Sequence, residues 1–254
     1  MGIKMKSKRA QLTIFVIVGI VIVGAILAIL FYFGRVSFQS PDKANPKAYI
    51  EECVKKVVEP SIKKIYANGG LIDPKLQIMY MSENYTYLCY QNNNYLSCIN
   101  QIPLLKTRIE SEIKKDTEGG INNCFNSLRM DLEDQHFVVR GEELDYSVTL
   151  APKTIFLKIN KPMQISKEQA SNSYEDFNVR IQNPLYELSG IAAEIANQES
   201  QYCNFEYNGY MLLYPQYDIK RISYIDSRIY IVGDRDSGKE FKFAVRSCAF
   251  PPGF

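Results

Sequence analysis

Hydrophobic residues form one unbroken block near the N-terminus and periodic patterns along the rest of the chain. Residues 12–34 carry no charged side chain and consist mostly of Ile, Leu, Val and Phe. As an α-helix this block is roughly 34 Å long at ~1.5 Å per residue, and a hydrocarbon core is about 30 Å thick. The pattern therefore predicts a single transmembrane helix, which we assign to residues 11–35.

Apolar side chains recur at steps of three and four in three later segments, which is typical of amphipathic helices. The helices are predicted at residues 47–68, where Pro60 is expected to kink or divide the helix, at 105–130 with an interruption at 116–120, and between Pro184 and Gln198. Residues 36–46, which contain Pro41 and Pro46, are predicted to be an extended linker.

Strand-like patterns lie between and after these helices. Strands are predicted at residues 76–81, 137–139, 144–150, 154–159, 210–214, 228–232 and 240–246, with a hairpin of residues 86–90 and 95–99. The order of elements predicts an α+β domain over residues 47–254, in which helices pack on antiparallel sheet. This part forms either one domain or two, with a boundary near residues 161–174.

The charge distribution predicts the orientation in the membrane. Residues 1–10 hold four of the 30 basic side chains and no acid, which leaves 26 basic against 28 acidic side chains in the remainder. Because basic flanks stay in the cytoplasm, residues 1–10 are predicted to be a cytoplasmic leader and residues 47–254 to be extracellular. A cleaved secretory signal is the alternative, but Phe31, Tyr32 and Phe33 stand where small residues are needed. The weakly acidic domain argues against nucleic-acid binding.

A short motif directly precedes the apolar block. Residues 8–15 read Lys-Arg-Ala-Gln-Leu-Thr-Ile-Phe. This motif resembles the class III signal peptide of archaeal type IV pilins and related filament subunits. The resemblance implies cleavage between Ala10 and Gln11 by a prepilin-type peptidase, retention of the apolar helix, and assembly with other pilin-like subunits. Phe15 occupies the fifth mature position, where pilins commonly carry glutamate, and a plain membrane anchor is the alternative interpretation.

All the cysteines follow the apolar block, and their number is even. An even number in an exported domain favours disulfides, although six cysteines allow fifteen pairings. Local structure favours Cys89 with Cys98 across the predicted hairpin and Cys53 with Cys124 between two helices, which leaves Cys203 with Cys248. Six buried free thiols are the alternative.

Two further patterns concern the exported part. The order of Cys53, Gly69-Gly70, a Tyr/Cys hairpin up to Cys98, and Cys124 resembles uncharacterised exported proteins of small-genome archaea, a resemblance that implies no known activity. Asn84-Tyr85-Thr86 is an Asn-x-Ser/Thr sequon, which makes Asn84 a candidate glycosylation site on an exported face.

Residues with catalytic or metal-binding chemistry do not form a recognisable motif. His136 is the single histidine, and no Ser or Cys nucleophile motif accompanies it. The acids at Glu142, Glu143 and Asp145 and the C-terminal cluster of Asp226, Asp234 and Asp236 are interpreted as turn residues rather than as a glycosidase pair or a calcium loop. We therefore expect no enzymatic activity, no cofactor and no bound metal.

Together these patterns predict a single-pass, cell-surface structural or adhesion protein, a minor filament subunit in the pilin-like case. The expected partners are the membrane, the prepilin-type peptidase, other pilin-like subunits and an unidentified surface or glycan ligand. The tyrosines within residues 80–95 and 202–217 are interpreted either as an exposed contact face or as sheet and core residues. The alternative functions are an anchored receptor domain that does not polymerise and an anchored envelope hydrolase.

Overall fold

The computed structural model describes residues 22–23 and 45–250. Ile22 and Val23 are helical and belong to a separate unit, residues 1–42. The leader, the cleavage site at Ala10 and Gln11, the rest of the predicted transmembrane helix and most of the linker lie outside the described residues. Within the described residues, no helix is both long enough and apolar enough to span a membrane.

Residues 45–250 fold into helices and two sheets that belong to one compact unit. The helices are α1 (Pro46–Ala67), α2 (Leu105–Asp134), α3 (Leu185–Tyr202) and α4 (Tyr207–Leu213). The strands are β1 (Gln77–Tyr80), β2 (Glu83–Tyr90), β3 (Ile99–Asn100), β4 (Val138–Gly141), β5 (Asp145–Ala151), β6 (Thr154–Lys167), β7 (Ala170–Gln182), β8 (Tyr217–Tyr224), β9 (Ser227–Asp234) and β10 (Glu240–Arg246). The predicted α+β class is confirmed.

Five strands of the six-stranded sheet have the order β1-β2-β10-β9-β8. The sixth strand, β3, pairs with the C-terminal end of β2. Its pairings are antiparallel except for the parallel pair of β2 and β10. A parallel pair requires a long crossover. Here the chain between β2 and β10 contains the entire second sheet and three helices. The prediction of an antiparallel sheet was therefore wrong for this one pair of strands.

The four-stranded sheet is centred on β6. Strand β7 pairs with β6 along one side, while β5 and β4 share the other side, and all pairings are antiparallel. The β6–β7 hairpin spans Thr154–Gln182 and so includes residues 161–174, the position of the alternative domain boundary. The pattern did not predict β7, because in most of this strand the side chains are polar and only Phe177 and Val179 are buried.

The helices contact both sheets and share one continuous core. Helix α1 packs on β7 and β10, α2 packs on β4 and β5, and α3 lies against β2, β9 and β10 as well as β5 and β6. Buried apolar side chains from all three helices and both sheets belong to the same cluster. The two sheets are therefore held together through the helices.

Helix α1 lies within one residue of the predicted bounds at each end, and it begins at Pro46, which the sequence pattern assigned to the linker. The Asn45 side chain accepts a hydrogen bond from the Ala48 backbone N–H, and Pro46 occupies the first turn. Pro60 does not divide the helix, because it lies on the exposed side, where water can hydrate the freed backbone carbonyl. After α1 the chain turns through Gly69 and Gly70, whose φ angles of 62° and 95° favour glycine.

Helix α2 runs without a break, so the interruption predicted at residues 116–120 was wrong. Gly120 faces Val57 of α1, and a Cβ atom at this position would lie 2.5 Å from Cγ1 of Val57. The Thr117 hydroxyl donates to the Ile113 carbonyl at 2.7 Å, which satisfies the polar group inside the helix. The residues that suggested a break are the ones that permit a close helix–helix contact.

Two other local predictions were wrong. Residues 95–98 form a loop, and only Ile99–Asn100 pairs with β2. Residues 210–214, predicted as a strand, fall mostly within α4, whose first turn is capped by the Glu206 carboxylate accepting from the Gly209 N–H. Strand β8 follows α4 and was missed.

The cysteines form three disulfides, which are the pairs that local structure favoured. Cys53–Cys124 joins α1 to α2, Cys89–Cys98 closes the loop after β2, and Cys203–Cys248 joins the end of α3 to the segment after β10. Each unstrained bridge stabilises a fold by roughly 2–4 kcal/mol.

The two neighbouring glycines of α2 give a matched test of the helix contact. We expect Gly120→Ala to lower the free energy of unfolding by about 1–3 kcal/mol, because the stiff Val57 side chain must move. Gly119→Ala adds a methyl group with no neighbour within 4 Å and should raise it by roughly 0.5–1 kcal/mol. Denaturant unfolding with the disulfides intact measures both, and equal effects would contradict the close contact.

Candidate functional site

Four chain segments meet at one end of the six-stranded sheet, which we call the loop end. Because β2 and β10 are parallel, both finish there, and β8 finishes there beside the start of β9. The loop end therefore contains the loop of residues 91–98, the turn at residues 225–226 and the segment of residues 247–250. The Cys203–Cys248 disulfide adds the end of α3.

Arg246, at the end of β10, holds three of these segments together. Its guanidinium donates to Asp226 Oδ2 at 2.7 Å, to the Asn92 carbonyl at 2.8 Å and to Asn94 Oδ1 at 2.9 Å, and it also contacts the Gln91 carbonyl. Burial alone would raise the pKa of Asp226, but the hydrogen bonds from Arg246 and Ser227 outweigh burial and lower it. The ionised pair therefore fixes the loop against the turn at neutral pH.

A second buried ion pair lies beneath the loop end. Glu199 of α3 is fully buried, pairs with Arg228 and accepts a hydrogen bond from the Tyr230 hydroxyl at 2.5 Å. Burial and the neighbouring Glu199 carboxylate raise the pKa of Tyr230, so this hydroxyl remains a donor. The Ser247 hydroxyl donates to the Glu199 carbonyl at 2.8 Å. Partnered charges of this kind hold α3, β9 and the C-terminal segment in one arrangement.

Exposed apolar side chains occur in the segments that meet at the loop end, and we call this set of residues the loop-end patch. Its residues, each between 51% and 77% exposed, are Tyr95, Leu96, Tyr202, Ile225 and Phe250. The Tyr95 and Phe250 rings meet edge to face with centroids 5.6 Å apart, and the Cys248 N–H donates to the Leu96 carbonyl. The side chains shown in contact are Tyr95 and Phe250, and the ends of α3 and β8 bring Tyr202 and Ile225 to the same end of the sheet. Single exposed apolar side chains are ordinary, whereas several at one end of a sheet are typical of a contact surface.

Most tyrosines outside the patch pack within the fold. Tyr85 and Tyr87 are buried on the sheet face that is turned away from the helices. Tyr80 of β1 contacts Tyr224 of β8 with centroids 4.9 Å apart, although β1 and β8 are the two edges of the strand order. The β1–β2 hairpin must therefore bend across this face. Of the two tyrosine-rich segments, residues 80–95 contribute mainly Tyr95 to an exposed surface.

Two concavities lie at the opposite end of the sheet. A groove of about 560 Å³ follows α1, and its lysines include Lys56 and Lys63, which form ion pairs with Glu52 and Glu59 one turn earlier. A neighbouring cavity of about 490 Å³ lies between the start of α3 and the β9–β10 turn. Polar and apolar atoms both contribute to its lining, which consists of Lys153, Gln182, Asn183, Pro184, Glu187, Gln216, Tyr217, Asp234, Asp236 and Ser237.

The candidate catalytic residues are not brought together. His136 lies in the turn after α2, Glu142 and Asp145 flank β5 on the surface, and Asp234 accepts hydrogen bonds from the Ser237 backbone and hydroxyl. Among the described residues, no group of three or more His, Cys, Asp and Glu side chains is arranged to hold a metal.

The remaining predicted site residues are the glycosylation candidate and the two residues of the cleavage site. Asn84 is exposed at the start of β2, while Ala10 and Gln11 lie outside the described residues. Arg246 and Phe250 were not predicted as site residues. A buried-strand pattern that ends in arginine was a signal for Arg246.

No protein-family model, curated protein or solved structure matches this chain. The function is therefore inferred from the residues and their geometry.

Proposed function

We propose that this protein is a membrane-anchored cell-surface protein of structural or adhesive type, made as a pilin-like precursor. In this proposal residues 11–35 are the anchor, the N-terminus is cytoplasmic, and the α+β domain faces outward and makes contacts through the loop-end patch. The observation that carries the proposal is the combination of a basic leader and apolar block with a domain that contains three disulfides.

The disulfides support an extracytoplasmic location. Structural disulfides form and persist in oxidising compartments and are rare in the cytosol. All the cysteines of the chain lie in the domain and all are paired. Together with the basic N-terminal flank of the apolar block, this pairing favours export of the domain while the leader stays inside.

The rigidity of the loop end supports a contact role for the patch. Ordering a flexible loop upon binding costs conformational entropy, and a preorganised surface avoids that cost. Two disulfides, Cys89–Cys98 and Cys203–Cys248, and the Arg246–Asp226 pair hold the patch residues before any partner arrives. Tyrosine and other aromatic residues are enriched at protein interfaces, and the patch contains three aromatic rings.

Leader processing is tested by N-terminal mass spectrometry on the membrane and filament fractions of the native host. We expect a mature chain that begins at Gln11 and remains with the membrane after an alkaline wash. Lys8→Gln/Arg9→Gln should accumulate uncut precursor, because the basic residues that precede the cleavage site are lost. The matched control, Lys4→Gln/Lys6→Gln, removes the same charge away from the site and should be processed. A wild-type chain that retains residues 1–10 contradicts pilin-like processing and leaves the plain anchor.

The contact role of the patch is tested with a triple variant, Tyr95→Ser/Leu96→Ser/Phe250→Ser. We expect at least a tenfold loss of cell attachment or of protein in the sheared filament fraction, because the exposed apolar area is removed. The control is Leu212→Ser/Leu213→Ser, two residues of α4 that are 84% and 77% exposed and lie outside the patch. Export and disulfide content are measured for both variants. Wild-type behaviour of the exported triple variant contradicts the proposal.

A further inference from the structure

A buried hydroxyl in β2 has no hydrogen-bond partner. Among the described residues, only Thr86 Oγ1 and Glu187 Oε2 are buried side-chain polar atoms without a partner. Thr86 is 2% exposed, and the turn after α1 packs against it so closely that a Cβ at Gly69 would lie 3.2 Å from the Thr86 Cβ. An unpartnered buried hydroxyl destabilises a fold relative to an apolar group of the same shape, and valine has that shape. Among the described residues, no protein group therefore explains the hydroxyl at this position.

The sequence around Thr86 supplies a reason outside the folded state. Thr86 is the third residue of Asn84-Tyr85-Thr86, and a hydroxyl at this position is what defines an N-glycosylation acceptor. The acceptor asparagine has the opposite environment from Thr86. Asn84 is exposed at the start of β2, and no described residue forms a hydrogen bond with its side chain.

We propose that Asn84 carries an N-linked glycan, attached as the chain emerges from the membrane and before β2 packs. This inference rests on the proposed export of the domain. Because Thr86 is covered in the folded protein, a transferase that reads its hydroxyl must act on the extended chain. In this proposal the transferase needs the Thr86 hydroxyl during export, and the same hydroxyl lowers the stability of the domain once it has folded.

The reaction requires a lipid-phosphate-linked oligosaccharide as the co-substrate. Asn84 Nδ2 forms a bond to C1 of the first sugar, and the bond between C1 and the phosphate oxygen breaks. The lipid phosphate leaves with the bonding electron pair, and the proton lost from Nδ2 passes to a phosphate oxygen of the leaving group. No oxidation or reduction takes place.

The position of Asn84 gives the glycan a structural consequence. Asn84 pairs with Met79 of the edge strand β1, and both Met79 and Met81 are exposed. An exposed apolar edge strand is prone to pair with other chains, and a bulky polar group beside it hinders that pairing. The glycan would therefore shield the β1 edge.

The modification is tested by intact-mass and glycopeptide analysis of full-length chains from the native host. We expect one glycan on the wild type and on Thr86→Ser, which keeps the hydroxyl, and none on Thr86→Val or Asn84→Gln. Asn172→Gln, which changes an exposed asparagine of β7 outside any sequon, is the matched control and should keep the glycan. An unmodified wild-type chain overturns the proposal.

The melting temperature distinguishes a role of Thr86 in recognition by the transferase from a role in the folded structure. In disulfide-intact chains produced without a transferase, Thr86→Val should raise Tm by about 2–4 °C, because an unpartnered hydroxyl is replaced by a methyl group. A lower Tm for Thr86→Val shows that the hydroxyl is required by the fold and overturns the argument.

Added protease on intact cells makes the two proposals distinguishable. A domain that the protease digests on intact cells, but that carries no glycan, refutes the glycan proposal alone. A domain that is protected until lysis refutes the proposed surface location, on which the glycan proposal rests.

Discussion

The close contact between α1 and α2 is the constraint on which the rest of the domain depends. Gly120 lets the two helices approach at Val57, and the Cys53–Cys124 disulfide joins them covalently. Helix α1 packs on one strand of each sheet, β7 and β10, while α2 packs on β4 and β5 of the four-stranded sheet. The contact between the helices therefore couples α2 and its side of the four-stranded sheet to the helix that touches both sheets.

The loop end depends on the same framework through α3. The fully buried Glu199 connects α3 to β9 by its pair with Arg228, and Cys203–Cys248 connects the end of α3 to the C-terminal segment. Removing one partner of a buried ion pair is destabilising, since the other charge is left without compensation. The exposed patch is therefore held by a braced base, which is the property that the proposed contact role requires.

Sequence reasoning predicted the elements whose patterns are local. The amphipathic period of α1 was visible, and so was the strand β10, whereas the Asn45 cap fell within the predicted linker. It failed where tertiary contacts override local preference. Gly120 suggested a break but belongs to a helix crossing, and the polar strand β7 is held by its long pairing with β6. The loop-end patch joins residues far apart in sequence, so no local pattern indicated it.

The most direct test of the account is the redox state of the cysteines in protein taken from native membranes. Cells are lysed into a thiol-alkylating reagent, and the intact mass is measured before and after reduction. The account predicts no alkylation before reduction and six reactive thiols afterwards, as three disulfides require. Alkylation of all six cysteines without a reductant would place the domain in a reducing compartment and contradict the account.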